Sequence, residues 1–215
     1  MRHVARRIAA GAAALALLGP AGALAHPHVW VTVKSQIGFA DGKVTSVTHD
    51  WVFDEMYSSF ATQGLTKPGQ LVTRETFAPL AQENAANLAQ IGYFTTFKIG
   101  GKAVDFAPVT QYWMEERPDH LVAFHVVLNL KTPAPPSRYM SLMVADPEYF
   151  IDFEFDDKDA IALAAAPEGC SASISRPKPL AGADKQKLDE SFFTNLAPGA
   201  GFGFKMASRA DVACP

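Results

Sequence analysis

Cysteine is scarce in this sequence, with two residues among 215. There is no C-x-x-C motif, which excludes the redox and zinc patterns that are built on it. Cys170 and Cys214 form an even pair, and in an exported chain such a pair is typical of a disulfide. We therefore predict a bond between Cys170 and Cys214, and a thiolate metal site is disfavoured.

Enzyme signatures are also sparse. The sequence contains no G-x-S-x-G, no H-E-x-x-H and no phosphate-cradling glycine loop. Serine, histidine and aspartate are present, but no local pattern arranges them as a catalytic triad. The sequence therefore predicts a protein that is not an enzyme.

Long hydrophobic runs are confined to the beginning of the chain. A basic start with three arginines is followed by an apolar stretch over residues 8–18 and by an A-x-A cleavage signal at residues 23–25. We expect residues 1–25 to be a cleaved signal peptide and residues 26–215 to form a single periplasmic domain. No later stretch approaches the roughly 18 apolar residues of a spanning helix, so the processed protein is expected not to span the membrane.

Basic residues are in the minority. The chain has 19 lysines and arginines and 22 acidic residues. Removal of the three arginines of the signal peptide leaves 16 basic residues, so the processed chain has a net charge of −6. Such a chain is not expected to bind nucleic acid or an anionic membrane surface. Asp152, Glu154 and Asp156 alternate with apolar residues, which is typical of the solvated face of a half-buried strand.

Most of the remaining sequence has β-strand patterns. Two β-rich runs come first, at 28–39 and 43–53. Further strands are predicted at 93–99, 102–107, 109–116, 120–130, 138–145 and 148–155. Residues 131–137 are predicted to be a stiff, proline-rich connector.

Helical patterns are fewer. Apolar spacing predicts one principal helix near 73–91, which Pro79 should start or kink. A short helix or turn is expected after Phe53, and a short C-terminal helix at 184–194 should precede an irregular tail. The predicted fold class is α+β, mainly an antiparallel β-sheet arranged as a sandwich or a meander.

The first two strands are predicted to form a hairpin around residues 40–42. A two-residue Asp-Gly turn would set valines of the first strand against polar residues of the second. A three-residue loop with Gly42 in the left-handed conformation instead pairs Val31 with Trp51. Because one face must be buried, we predict the three-residue loop.

The processed N-terminus offers a candidate metal site. Cleavage would leave His26 with a free α-amine, and His28, two residues on, points to the same side of an extended strand. In the predicted register His28 lies directly across from Asp54. Two imidazoles, the amine and a carboxylate suit Zn(II), with Ni(II), Co(II) or Cu(II) as alternatives. His49, Glu55 or a histidine distant in the sequence would complete the set of ligands.

Plainer interpretations of the histidines stay open. One is that His26 and His28 decorate an exposed strand end, and another is that His49 is a hydrogen-bonded structural histidine of the core. His120 and His125 are isolated in the sequence, which does not show whether folding brings either to a site.

Three segments resemble one bacterial periplasmic family: HPHVWV at 26–31, WVFDEMYSS at 51–59 and DPEYFIDF at 146–153. Its members are commonly labelled the periplasmic component of an uncharacterised ABC-type transport system and include ZevA-like proteins. The resemblance spans roughly residues 26–175. It implies a soluble accessory of transition-metal uptake, zinc foremost with nickel or cobalt as alternatives, beside an inner-membrane permease of the nickel/cobalt type. It marks as positions of interest His26, His28, Trp51, Asp54 and Glu55.

These observations leave three hypotheses for function. The leading one is a metal-binding accessory protein that captures or passes on a divalent ion by ligand exchange. The second is a copper enzyme or chaperone of the histidine-brace type, because a terminal histidine also suits that chemistry. The third is a structural adaptor that docks on a permease and binds no metal.

Overall fold

The computed structural model describes residues 28–67, 69–178 and 201–215. These residues form eleven strands, three α-helices and one 3-10 turn, an α+β arrangement dominated by two mainly antiparallel sheets. The predicted fold class is confirmed. The predicted signal peptide and the predicted helix at 184–194 lie outside the described residues.

The elements follow one another from the start of the first sheet to the C-terminal strand. In chain order they are β1 (Val29–Ala40), β2 (Lys43–Phe53), α1 (Glu55–Thr62), α2 (Arg74–Ala89), a 3-10 turn (Gly92–Phe94), β3 (Thr95–Ile99), β4 (Lys102–Ala103), β5 (Tyr112–Glu116), β6 (Val122–Ala134), β7 (Met140–Val144), β8 (Ile151–Phe155), β9 (Ile161–Ala164), β10 (Ser171–Ser175), α3 (Phe202–Met206) and β11 (Arg209–Ala213).

The first sheet has the strand order β5-β6-β2-β1-β8, and the second has the order β10-β11-β7-β3-β4. β8 and β9 are the exceptions to antiparallel pairing, since both run parallel to β1. β8 lies beside residues 29–33 of β1, and β9 lies beside residues 35–38. The parallel neighbour β8 brings a distant loop to the start of β1.

One hydrophobic core joins the two sheets. Val31, Val33 and Trp51 from the first sheet and Phe97 and Leu142 from the second belong to the same buried cluster. Each fully buried side chain of this size stabilises the fold by about 1.5–3 kcal/mol relative to exposure. The alternation in β1 and β2 places most of their polar residues on the opposite, outer face, and Ser35 and His49 are the polar residues buried on the core side.

The helix α2 packs by a single stripe. Phe77, Ala81 and Ala85 are its buried residues, and they recur at every fourth position. Thr73 is the N-cap, with its hydroxyl accepting the Thr76 N–H at 3.3 Å. The helix begins at Arg74 and continues through Pro79, so the proline does not start it.

The turn between β1 and β2 differs from the prediction. Ala40 pairs with Lys43, so the loop has the two residues Asp41 and Gly42 that the sequence argument rejected. Both have positive φ, 51° and 70°. Asp-Gly is a preferred sequence for such a turn because both positions need left-handed backbone.

A bulge then corrects the register. Thr45 is an extra residue on β2, so that Gly38 pairs with Ser46 and Val33 lies opposite Trp51. A bulged strand gains one unpaired residue, which moves every later side chain to the other face. The prediction of one apolar face was therefore right. The predicted pairing of Val31 with Trp51 was wrong by two positions, one from the shorter loop and one from the bulge.

Several predicted strand limits also change. β6 continues past Pro133 to Ala134, so part of the predicted connector belongs to a strand. The predicted strand at 102–107 is regular only over Lys102–Ala103, although Phe106 forms an isolated bridge with Leu130. β9 and β10 were not predicted.

The C-terminal tail was predicted to be irregular, but its described residues 201–215 include α3 and β11. β11 lies inside the second sheet, between β10 and β7. The disulfide between Cys170 and Cys214 is present, as predicted, and it joins the start of β10 to the end of β11. The strand was not predicted because its alternation covers only five residues, and the pairing that orders it comes from distant residues.

Candidate functional site

The three motif segments meet at one end of the first sheet. The backbone N–H of His28 donates to the carbonyl of Phe150 at 2.8 Å, and that of Asp54 donates to the carbonyl of Trp30 at 3.0 Å. We call the group of His28, Trp30, Asp54, Asp146 and Phe150 the motif end. It joins residues that lie more than a hundred positions apart in the sequence.

Asp54 holds two of these segments together. One carboxylate oxygen accepts the backbone N–H of Trp30 and the other accepts that of Tyr57, both at 2.8 Å. Asp54 is the N-cap of α1, where a carboxylate satisfies a free N–H and meets the positive end of the helix dipole. Its carboxylate thus fixes the start of α1 against the start of β1.

His28 is not directly across from Asp54, contrary to the prediction. The two-residue loop and the bulge at Thr45 each shift the pairing by one position, so Trp30 takes the place opposite Asp54. His28 instead stacks on Phe150, with ring centroids 4.5 Å apart and planes at 28°. The ring contact of His28 therefore comes from Phe150, which precedes β8 on the other side of β1 from Asp54.

Asp146 shapes the loop that brings Phe150 to His28. Its buried carboxylate accepts the backbone N–H groups of Glu148, Phe150 and Ile151 at 2.9–3.0 Å. Sequence reasoning missed this role. The available signal was an aspartate at the start of a turn, a position where its side chain commonly bonds the backbone two residues on.

His49 lies in the core and is fully buried. Its Nδ1 is 2.8 Å from the Ser35 hydroxyl and its Nε2 is 3.1 Å from the Thr95 hydroxyl. Burial lowers the pKa of His49 to about 3. A neutral ring with both nitrogens hydrogen-bonded favours the structural interpretation of this histidine.

The other predicted ligands do not join a metal site among the described residues. Glu55 is exposed at the first position of α1, next to Asp54. His26 lies outside the described residues. Within residues 28–67, 69–178 and 201–215, no group of three or more histidine, cysteine, aspartate or glutamate side chains is placed to hold a metal ion.

A polar cluster on the outer face of the first sheet was not predicted. His125 Nδ1 is 2.5 Å from an oxygen of Asp50, and Glu115 approaches its Nε2 at 3.3 Å without hydrogen-bond geometry. Trp113 stacks on the ring at 4.6 Å. The hydrogen bond from His125 holds the pKa of Asp50 below its usual value. The pairing of β6 with both β2 and β5 brings these residues together, so no local pattern signals the cluster.

A cavity of about 530 Å³ lies beside the 3-10 turn, β3 and β4. Its walls include Tyr93, Phe97, Asp105 and Phe106, and its volume falls in the range of small-molecule sites. Of the predicted metal ligands that the structure describes, none lines this cavity. The cavity is therefore separate from the motif end.

These features define a disulfide-bonded protein with two β-sheets and three motif segments gathered at one end. The chain belongs to the family described as "Protein of unknown function (DUF1007)", whose model matches residues 11–214. A comparison with curated proteins found no match. Across the part of the chain that the structure describes, every helix is too short or too polar to cross a membrane.

Proposed function

We propose that this protein is a periplasmic accessory of transition-metal uptake. It binds a divalent ion, zinc foremost with nickel or cobalt as alternatives, and works beside an inner-membrane permease of the nickel/cobalt type. The observation that carries the proposal is the exposed His28 at the motif end, only two positions from His26 in the sequence.

The donor chemistry fits a borderline divalent metal. Signal cleavage before His26 supplies an α-amine and an imidazole, and His28 supplies a second imidazole. Glu55 is an exposed carboxylate close in sequence to the motif end. Asp54 already accepts two backbone N–H groups, so we assign it the role of positioning β1 and α1. His49 is left out because it is enclosed in the core.

The contact with Phe150 supports a defined orientation for one ligand. A histidine ring stacked on a neighbouring ring has fewer accessible rotamers than one on an open strand end. Less side-chain entropy is then lost when a metal binds. Asp146 contributes indirectly, because its three backbone hydrogen bonds set the position of Phe150.

The mechanism is ligand exchange and involves no catalysis. Neutral imidazoles bind the ion, and protons compete for the same nitrogens, so zinc affinity should fall steeply below about pH 6. A carrier of this kind releases its ion either to a competing set of ligands on the permease or on acidification.

Titration calorimetry with zinc tests the proposal on the processed chain. His26→Ala and His28→Ala should each weaken binding at least about tenfold, since each removes one of few ligands. His120→Ala is the matched control, because His120 is exposed and pairs with Glu116 at 2.8 Å on another loop. Its affinity should equal that of the unmodified protein.

Two outcomes would contradict the proposal. Equal affinities for His28→Ala and His120→Ala would remove His28 from the site, and absence of metal in protein purified from the periplasm would favour the adaptor hypothesis. Copper spectroscopy with a turnover assay separates the histidine-brace alternative, which requires a redox metal and the free amine.

A further inference from the structure

The outer face of β1 and β8 carries aromatic and acidic side chains in register. Trp30 pairs with Asp152 and Thr32 pairs with Glu154, and paired residues of parallel strands point to the same face. Trp30 is 48% exposed and Phe150 is 47% exposed. We call Trp30, Phe150, Asp152 and Glu154 the aromatic-acidic face.

The two acids of this face lack a cationic partner among the residues that the structure describes. By contrast, Asp156, two positions further along, pairs with Lys34 at 3.5 Å. Asp152 accepts only the Tyr149 hydroxyl, at 3.2 Å. Burial and the nearby charge of Glu154 raise the pKa of Asp152, which is the direction expected for crowded negative charge.

The exposed rings add a second requirement for any partner. Large aromatic side chains that stay half exposed beside uncompensated charge are typical of binding surfaces. A guanidinium or ammonium group satisfies both features, because it pairs with a carboxylate and is attracted to the face of an indole or phenyl ring. A neutral or acidic partner would leave the carboxylates of Asp152 and Glu154 unpaired at the interface.

We propose that the aromatic-acidic face docks a basic segment of a protein partner. Arginine or lysine side chains of that segment pair with Asp152 and Glu154 and lie against Trp30 and Phe150. The inference does not rest on the proposed metal function, because it requires neither His26 nor a bound ion.

Fluorescence anisotropy with a labelled decapeptide of five Arg-Ala repeats tests this docking, with EDTA present throughout to exclude metal. A decapeptide of five Glu-Ala repeats is the control ligand. Trp30→Ala should weaken binding about tenfold, as loss of an aromatic anchor does. Glu154→Gln should weaken it about twofold to fivefold, and Glu154→Lys should abolish it.

Asp157→Asn is the matched control variant. It removes the same charge from the segment after β8, but Asp157 is 93% exposed and already pairs with Arg176. Binding by this variant should be unchanged. Glu154 is exposed, so its variants are expected to fold, and circular dichroism checks Trp30→Ala.

The results separate docking from general attraction between opposite charges. Equal loss of affinity in Glu154→Gln and Asp157→Asn would overturn the proposal, as would unchanged binding by Glu154→Lys. Failure here with intact zinc binding would leave the proposed function standing, and the reverse result would leave the docking face standing.

Discussion

Replacing Asp54 by alanine tests how the motif end is held together. The carboxylate accepts one backbone N–H from β1 and one from the first turn of α1, each at 2.8 Å. Alanine removes both acceptors at once. The start of α1 then loses its cap, and the Trp30 N–H loses its acceptor, while the backbone bond from residue 54 to the Trp30 carbonyl remains.

The expected cost follows from these two contacts. Loss of an aspartate N-cap costs about 1 kcal/mol. The bond from Trp30 is charge-assisted but exposed, so we assign it about 1 kcal/mol, below the range for buried charged hydrogen bonds. The free energy of unfolding should fall by about 2 kcal/mol for Asp54→Ala, or about 4–8 °C in Tm for a chain of this size. An asparagine side chain keeps one acceptor and is a good N-cap, so Asp54→Asn should cost about 1 kcal/mol.

Urea unfolding at neutral pH, followed by circular dichroism, measures these differences. Thr73→Ala is the matched control, since the Thr73 hydroxyl accepts the Thr76 N–H at a longer distance of 3.3 Å and its contacts lie within the first turn of α2. It should cost about 0.5–1 kcal/mol. The three variants should therefore rank with Asp54→Ala as the least stable.

Zinc affinity of Asp54→Asn separates positioning from metal ligation. A positioning residue predicts affinity within about twofold of the unmodified protein, because asparagine retains most of the local structure. A free energy of unfolding for Asp54→Ala equal to that of the unmodified protein would refute the positioning role of Asp54. A tenfold loss of zinc affinity in Asp54→Asn at unchanged stability would also refute that role, since Asp54 would then be a ligand.

Three further predictions concern stability. Burial lowers the pKa of His49 to about 3, so as pH falls below about 6.5 the unfolded chain takes up a proton that the folded chain does not. Through His49, the free energy of unfolding should fall by about 1.4 kcal/mol for each unit that the pH drops below about 6.5. Urea titrations at several pH values should show that His49→Gln lacks this dependence on pH. Gly203→Ala would press a Cβ into the carbonyl oxygen of Asp146, so thermal unfolding should show a loss of about 2–3 kcal/mol, and an unchanged Tm would refute the close packing of α3. Replacing Cys170 and Cys214 by serine opens a loop of sequence separation 44, which should lower the free energy of unfolding by about 4 kcal/mol in the chain-entropy model. Equal Tm values for the two proteins in calorimetry would contradict this prediction.

Local patterns predicted much of the fold. Alternation located β1 and β2 within a residue or two, and Phe77 with Ala81 marked the principal helix. Short or weakly patterned strands escaped prediction. β11 is the clearest case, because its five residues are ordered by pairing with β7 and β10 rather than by their own pattern.

The candidate site was predicted only in part. The motif segments pointed to His28 and Asp54, and both lie at the motif end. Their mutual placement was wrong by two positions. The two-residue loop and the bulged Thr45 each shift the pairing by one, so Asp54 lies opposite Trp30. No local sequence pattern predicts this bulge, because it is stabilised by the burial of one face of the hairpin against other strands.

The sequence by itself determined the α+β class, the apolar face of the first hairpin, the disulfide pair and the segments worth examining, because periodicity, turn chemistry and cysteine count act over short distances. Only the tertiary structure decided which residues meet. The stacking of His28 on Phe150 and the pairing of Trp30 with Asp152 both depend on β8 lying parallel to β1. That pairing joins residues more than a hundred positions apart, and the free energy that selects it comes from burial of the shared core, which no local window contains.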